Sequence, residues 1–454
     1  MKQELQKNQT VTVTVDGYTA EGFGVGRMEN GMAVFIPQTA RGDKAEVLLV
    51  KVNKRFAYGK LKRIVEPSPY RIEPDCPVFS KCGGCDFRHL TYEEELWLKA
   101  RRVHDAMTRI GGFDLPVPEI VGSPAVEGYR NKAQFPVGTE AGKPVFGFYR
   151  SRSHQIIPLK SCALQSKDAC ELAAAVCDWA EQSGAASYDE QTGKGLVRHI
   201  YVRQGKAGLH LTLVATKDKL PREHLLIDIL QERCPLLCGI VVNVNDKPGN
   251  RVLGERCRTL WGADRLEDTL AGHSFRLSPL SFYQVNHDQC EQLYACAAEY
   301  AAPSPDTVAL DLYCGVGTIT LTLADRCRSV TGVEIVPAAI EDAKENAARN
   351  GVENVRFFCA DAGQAAEQLA EEGLAPQVIV VDPPRKGVDE AAVDAICRMN
   401  PERVVYVSCD CASLARDAKL LFEKGGYRPV RVKAFDMFPR TANVETVCLL
   451  SRLR

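Results

Sequence analysis

The run Arg403-Val-Val-Tyr-Val-Ser-Cys409 is apolar and β-rich and ends in Ser-Cys409-Asp-Cys411, so it reads as a buried strand whose last thiol emerges at its carboxyl end. A thiol so placed becomes a nucleophile once deprotonated. Uracil is one ring on which such a thiol would matter. Its carbon 5 does not accept a methyl group unaided, but thiolate addition to carbon 6 makes carbon 5 enolate-like and able to attack a sulfonium methyl. A base must then take the carbon 5 proton so that the thiol can leave, and Glu445 in Pro439-Arg-Thr-Ala-Asn-Val-Glu445 is the candidate. Singly, a strand-end Cys is more often packing and a Glu more often a surface charge, so both need a cofactor site beside them.

Asp311-Leu-Tyr-Cys-Gly315-Val-Gly317-Thr follows an apolar strand and opens a helix, where glycines let a ligand approach the backbone and free amides favour polar groups. Alone, a Gly-x-Gly loop is shared by dinucleotide sites and unrelated turns. Glu334 ends the next strand, where a carboxylate accepts ribose hydroxyls, and Asp361 ends the third, where one meets an adenine amino group. An Asp within the loop and only two glycines favour S-adenosylmethionine over NAD. Asp382-Pro-Pro-Arg385-Lys-Gly387 follows the fourth strand, and its prolines aim Asp382 into the cleft at the carboxyl edge.

Cys76, Cys82 and Cys85, with Gly83 and Gly84 between the last two, form a thiolate set of the spacing used for zinc or an iron-sulfur cluster. The fourth ligand expected is Cys162, in the loop Leu-Lys-Ser-Cys-Ala. Spacing does not choose the metal.

The elements that must carry these groups follow from texture. A chain of 454 residues with ordinary apolar and charged fractions suggests several domains. No apolar stretch approaches a membrane span and the N-terminus lacks a signal-peptide core, so a cytoplasmic location is expected, with the 18 cysteines serving packing, metal or catalysis rather than disulfides. A net charge of -1 leaves any nucleic-acid surface to local patches, around Lys51–Arg63 and around Arg130, Lys132, Arg150, Arg152 and Lys160. Short β-rich runs between glycine turns from Gln9 to about Ile64 predict an OB-like barrel. A helix is expected over 91–113 from Leu96, Ala100, Val103, Met107 and Ile110. An α+β region follows, with a helix over 167–183, and from about 285 repeated βα units predict a doubly wound parallel sheet ending in an antiparallel pair at its edge.

Together these motifs resemble the uracil-5 RNA methyltransferases, specifically the bacterial branch that acts on 23S ribosomal RNA and carries an N-terminal TRAM domain. The resemblance covers nearly the whole chain. It implies three parts: a TRAM/OB-like RNA-binding barrel over 1–66, an α+β middle domain with an iron-sulfur cluster over 67–275, its helix 91–113 packing on the catalytic domain, and a Rossmann-like class I methyltransferase domain over 276–454. It implies a 4Fe-4S cluster on Cys76, Cys82, Cys85 and Cys162, Cys409 as nucleophile, Glu445 as base, and S-adenosylmethionine held by Gln284, Tyr313, Gly315, Glu334, Asp361 and Asp382. Phe282, in Phe282-Tyr-Gln-Val-Asn286, matches an aromatic near the target base, and RNA rather than DNA or membrane is the implied partner. Family members usually follow the nucleophile with Asn-Pro, where this chain has Asp410 and Cys411, and often have His where it has Asn443. An inward-pointing Asp410 would raise the thiol's pKa, and Cys411 would make a redox pair conceivable. Rival readings are a transfer-RNA uracil-5 enzyme, an RNA-binding cluster protein with a dead catalytic domain, and an NAD-dependent redox enzyme.

Overall fold

The computed structural model describes residues 6–28 and 30–452. The outermost ends of the first and last expected domains, 1–5 and 453–454, lie outside them. β1 (Thr10–Tyr18), β2 (Gly24–Arg27), β3 (Ala33–Ile36), β4 (Lys44–Val52) and β5 (Phe56–Glu66) close into a barrel in the order β1-β2-β3-β5-β4. Alternation explains it: Val11, Val13 and Val15 of β1 point inward to Val34, Val47 and Leu49 while the threonines between them face water.

α1 (Tyr92–Arg109) is capped by Thr91, whose side chain accepts from the Glu94 amide at 3.4 Å, and its first turn carries Glu93, Glu94 and Glu95. It stops short of residue 113 because Gly112 turns left-handed (φ +77°) and Phe113 folds back to donate to the Met107 carbonyl at 3.0 Å. Its Val103, Ala106 and Met107 stripe packs beneath the C-terminal sheet, each large apolar side chain contributing about 1.5–3 kcal/mol.

The middle region follows β6 (Glu119–Val121). β7 (Lys132–Glu140), β8 (Lys143–Tyr149), β9 (Ile156–Pro158), β10 (Val197–Gly205), β11 (Gly208–Ala215), β12 (Leu237–Val244) and β13 (Arg256–Gly262) make one sheet in the order β13-β12-β11-β10-β7-β8-β9. α2 (Lys167–Ser183) and α3 (Glu223–Arg233) cover it through a core around Trp179.

After the hairpin β14 (Leu266–Leu270) and β15 (His273–Leu277) comes α4 (His287–Ala301) and then the alternating unit: β16 (Val308–Leu312), α5 (Thr318–Ala324), β17 (Ser329–Glu334), α6 (Pro337–Arg349), β18 (Val355–Cys359), α7 (Ala362–Glu371), β19 (Val378–Val381), α8 (Glu390–Met399), β20 (Arg403–Ser408), α9 (Cys411–Gly425), β21 (Tyr427–Phe435) and β22 (Glu445–Arg452). The sheet order is β18-β17-β16-β19-β20-β22-β21-β6, with β18 to β20 parallel and β22 antiparallel to both its neighbours. The order reverses between β16 and β19, and ligands of open α/β sheets bind at such a switch point. The antiparallel pair expected at the edge is one strand further in, because β6 adds parallel to β21.

A buried ionic knot joins α1 to this sheet. Lys99 donates to Glu95 at 2.7 Å and to Asp436 at 2.6 Å, and Asp436 also accepts from Tyr92 at 2.8 Å. All three groups are enclosed, so removing the Lys99 cation leaves two buried carboxyls without it. Lys99→Ala is expected to cost about 3–5 kcal/mol, read as a lower urea midpoint at unchanged slope. No helix among the described residues is long and apolar enough to cross a membrane.

Candidate active site

The turn after β16 is built for close approach at the switch point. Tyr313 (φ +68°), Gly315 (φ +56°) and Gly317 (φ +86°) are all left-handed, and a Cβ on Gly315 would meet only open space. Gly317 opens α5, and Glu334 at the end of β17 accepts from the Gly315 amide at 3.2 Å. Two polar atoms here are enclosed without partners, the Tyr313 hydroxyl and Asp311 Oδ1, while Asp311 Oδ2 accepts from Thr320 at 2.6 Å. A cavity of about 30 Å³ gathers Gln284, Tyr313, Gly315 and Asp382 with the exposed Phe282 at its rim. Its size admits one small group, so a nucleoside would lie along the open sheet edge outside it. Glu334 and Asp361 flank this cavity without lining it, and Asp361 caps α7 by accepting from the Gly363 and Gln364 amides. The loop carrying Phe282 and Gln284 is held from the middle sheet: Asn131 donates to the Gln284 carbonyl at 2.8 Å and Arg203 to that of Ser281.

The loop Asp382–Val388 is pinned to α9. The buried Asp417 accepts from the Val388 amide and the Tyr406 hydroxyl, each at 2.7 Å, and Ser413 donates to the Arg385 carbonyl at 2.6 Å. Gly387 (φ +82°) is required there, since a Cβ would lie 2.3 Å from Asp417.

Cys409 sits half-buried just past β20. β20 and β22 run antiparallel with Ser408 opposite Thr446, and one further step of that register sets Cys409 opposite Glu445, on one face of the sheet edge. Burial pushes the thiol up to about 11, helped by the Glu445 and Asp382 carboxylates and opposed by Arg385. Burial raises Glu445 to about 8, with Asp382 adding and Arg385 opposing, and raises Asp382 to about 7. Burial likewise lifts Asp311 to about 7. Three carboxyls and a thiol, all shifted upward chiefly by burial, thus gather at one edge of the sheet.

Cys76, Cys82 and Cys85 and the sequence-distant Cys162 line one cavity of about 220 Å³ with Arg88 and Arg130. Gly84 donates its amide to the Cys82 sulfur at 3.3 Å, and the Leu164 and Gln165 amides serve Cys162. Among the described residues no three His, Cys, Asp or Glu side chains converge on a single-ion position.

The sequence profile described as tRNA (Uracil-5-)-methyltransferase matches residues 263–453, and that of the TRAM domain residues 4–62. Over 99% of its length the chain is 43% identical to an uncharacterized RNA methyltransferase of Clostridium tetani, covering 98% of that protein. It is 41% identical to another from Bacillus cereus, across 100% of this chain and 99% of that one. The chain belongs to the uracil-5 RNA methyltransferase family. Its fold matches the Pyrococcus abyssi tRNA (uracil-54, C5)-methyltransferase, solved with S-adenosyl-L-homocysteine, at a TM-score of 0.77 and 26% identity, covering 97% of this chain and 99% of that one.

In this methyltransferase the two departures from the family pattern around Cys409 and Glu445 have local explanations. Asp410 points away from the thiol: it caps α9, accepting from the Ala412 and Ser413 amides at 3.0 and 2.8 Å. Cys411 turns into the core, its sulfur 3.9 Å from the Arg102 carbonyl of α1. Asn443 accepts from Arg385 at 3.1 Å, so it fixes the cation beside the thiol and Glu445. Sequence reasoning quoted Arg385 without giving it a role, and its place after the paired prolines was the available signal.

Proposed function

We propose that this enzyme transfers a methyl group from S-adenosylmethionine to carbon 5 of a uridine in 23S ribosomal RNA, through a covalent bond between Cys409 and carbon 6. The observation that carries the reading is the β20–β22 register, which pairs Ser408 with Thr446 and so sets Glu445 against Cys409, with the Asp382 carboxylate close enough to raise both groups. The donor supplies a methyl group on a sulfonium. Gly315, Gln284, Tyr313, Glu334, Asp361 and Asp382 are the residues to hold it, and the unpartnered Tyr313 hydroxyl and Asp311 oxygen fit a polar ligand there. Cys409 adds to carbon 6, carbon 5 takes the methyl group, and Glu445 removes the carbon 5 proton so that the double bond reforms and the thiolate leaves. The target base must leave its stack to expose carbon 6, and Phe282 at the rim offers a ring for it or its neighbour. Arg385 opposes the upward shift that burial imposes on both Cys409 and Glu445.

The four thiols suit a 4Fe-4S cluster better than zinc. Four zinc ligands at about 2.3 Å crowd around one point, whereas these line a cavity wide enough for a larger group. Amide donors to sulfur and nearby cations complement an anionic cluster. The reaction consumes no electrons, so a structural role is favoured. In this reading 1–66 grips RNA, 67–275 carries the cluster and 276–454 the chemistry, and the enzyme works in the cytoplasm.

A transfer-RNA uridine is the second reading, favoured by the Pyrococcus abyssi likeness over nearly the whole chain. Mass spectrometry of both RNA classes from a strain lacking the gene decides: a 23S fragment one methyl group lighter at a uridine is expected, loss confined to transfer RNA would establish the alternative, and no loss in either would reject both.

Rate should rise with pH. Glu445, raised to about 8, works as a base only when ionised. Below that value release of methylated RNA from the adduct, and with it multiple turnover, should therefore fall about tenfold per pH unit. Arg385→Met should move the rise to higher pH, since the cation that opposes both upward shifts is gone. A flat profile would remove Glu445 from the proton step.

A further inference from the structure

The loop that delivers Glu445 meets its own sheet where the Asp436 amide donates to the Val121 carbonyl at 2.9 Å, and past that point other elements hold it. Between β21 and β22 the chain runs from Asp436 to Val444, and Arg440 there adopts a left-handed backbone (φ +70°) that a side chain of its size disfavours. Its main chain is gripped on both sides. The Arg440 carbonyl accepts from the amides of Asp86 at 2.8 Å and Phe87 at 3.1 Å, and its amide donates to Glu95 at 2.6 Å. Two residues on, the Ala442 amide donates to the Asp86 side chain at 2.8 Å. Tyr129 donates to the Pro439 carbonyl at 3.0 Å. Asp86 and Phe87 directly follow Cys85, so the segment that closes the four-thiol cavity is the same segment that holds the strained turn.

Resting on the reading of Glu445 as base, we propose that Asp86 is a positioning residue for Glu445, and that through it the contents of the four-thiol cavity set the geometry of the proton-removal step. Asp86 touches neither the cavity that gathers Gln284 and Asp382 nor the Cys409 strand. Its effect passes along Ala442 and Asn443, the latter bonded to Arg385, to the carboxylate. A slackened clamp leaves carbon 6 addition and methyl uptake intact and delays only the last event, in which the carbon 5 proton passes to Glu445, the carbon 5–carbon 6 double bond reforms and the Cys409 sulfur departs with its electron pair.

Asp86→Ala removes the acceptor for Ala442 at an exposed position. Expected are a kcat lower by about tenfold with KM for donor and RNA within about twofold, and a larger steady-state fraction of RNA–protein adduct surviving denaturant. Asp86→Asn keeps an acceptor oxygen and should restore both. A merely structural role would lower the urea midpoint without accumulating adduct, and that result, or an unchanged kcat, overturns the proposal. Glu445→Gln is run beside it: if that variant forms no adduct the base assignment fails and the clamp falls with it, whereas adduct in Glu445→Gln but not in Asp86→Ala refutes the clamp alone. For the cavity, anaerobically purified protein is compared before and after iron chelation by tryptic cleavage at Arg440. Several-fold faster cleavage there, with unchanged cleavage at Arg55 in the barrel, is expected. Equal rates, or purified protein without iron, overturn the link to the cavity.

Discussion

Replacing Cys409 by alanine is expected to abolish methylation while leaving S-adenosylmethionine binding intact. Without the sulfur, carbon 5 of uracil keeps too little electron density to attack the donor, and the neighbouring thiol is no substitute: Cys411 is buried against α1. Loss of a covalent nucleophile costs on the order of 10⁴-fold or more in rate, equivalent to about 5.5 kcal/mol of barrier. Donor binding should not change, because Cys409 lies outside the cavity that gathers Gln284, Tyr313, Gly315 and Asp382. The paired measurements are transfer of labelled methyl to RNA and calorimetric titration with the donor. Turnover within about tenfold of wild type would reject the covalent route. The thiol's raised pKa, about 11, also means that the resting site holds little thiolate, so the variant should differ little from wild type in stability near neutral pH.

Glu445→Gln should fail at the opposite end of the same reaction. The amide is nearly isosteric, so addition and methyl uptake proceed, but it cannot accept the carbon 5 proton and the thiolate cannot leave. A methylated RNA–protein adduct is therefore expected to persist through denaturing electrophoresis, with turnover reduced by about 10²–10⁴-fold. The substitution also removes a carboxyl that burial raises to about 8, so the pH-dependent rise attributed to it should vanish from the residual rate. Absence of an adduct, with donor and RNA still bound, would transfer the base role elsewhere, the neighbouring Asp382 being the first alternative.

Much of the catalytic domain was legible from local texture. Buried runs such as Val378–Val381 and Arg403–Ser408 carry no alternation because both sheet faces are covered, and the glycines at 315 and 317 mark a left-handed turn that few other residues adopt. Of the stripe expected on the first helix, Ala100, Val103 and Met107 are buried, whereas Ile110 at its end is exposed. What was not legible had long-range causes. The end of α1 at Arg109 depends on Gly112 and on Phe113 folding back, and the edge strand β6 has three residues and no pattern of its own until β21 presents its backbone. The concern over Asp410 was resolved only by the start of α9, whose free amides take its carboxylate. Arg385 gained a role only when Asn443 and the thiol came beside it.

Local spacing sufficed to foresee most of the helices and strands of the C-terminal half and the residues at their carboxyl ends, because helix and strand periods, caps and glycine turns are set by neighbours a few positions away. It also pointed to a methylating family, since the Ser-Cys409 strand end, the Gly315 loop and the cysteine motifs occur together. Long-range packing alone brings Glu445 beside Cys409 past the end of the β20–β22 pairing, encloses Lys99 with Glu95 and Asp436, and sets the cysteine loop against the turn at Arg440. The reason is physical: register, charge pairing and backbone clamps join positions far apart in the chain, and their free energies exist only once packing excludes water from between them.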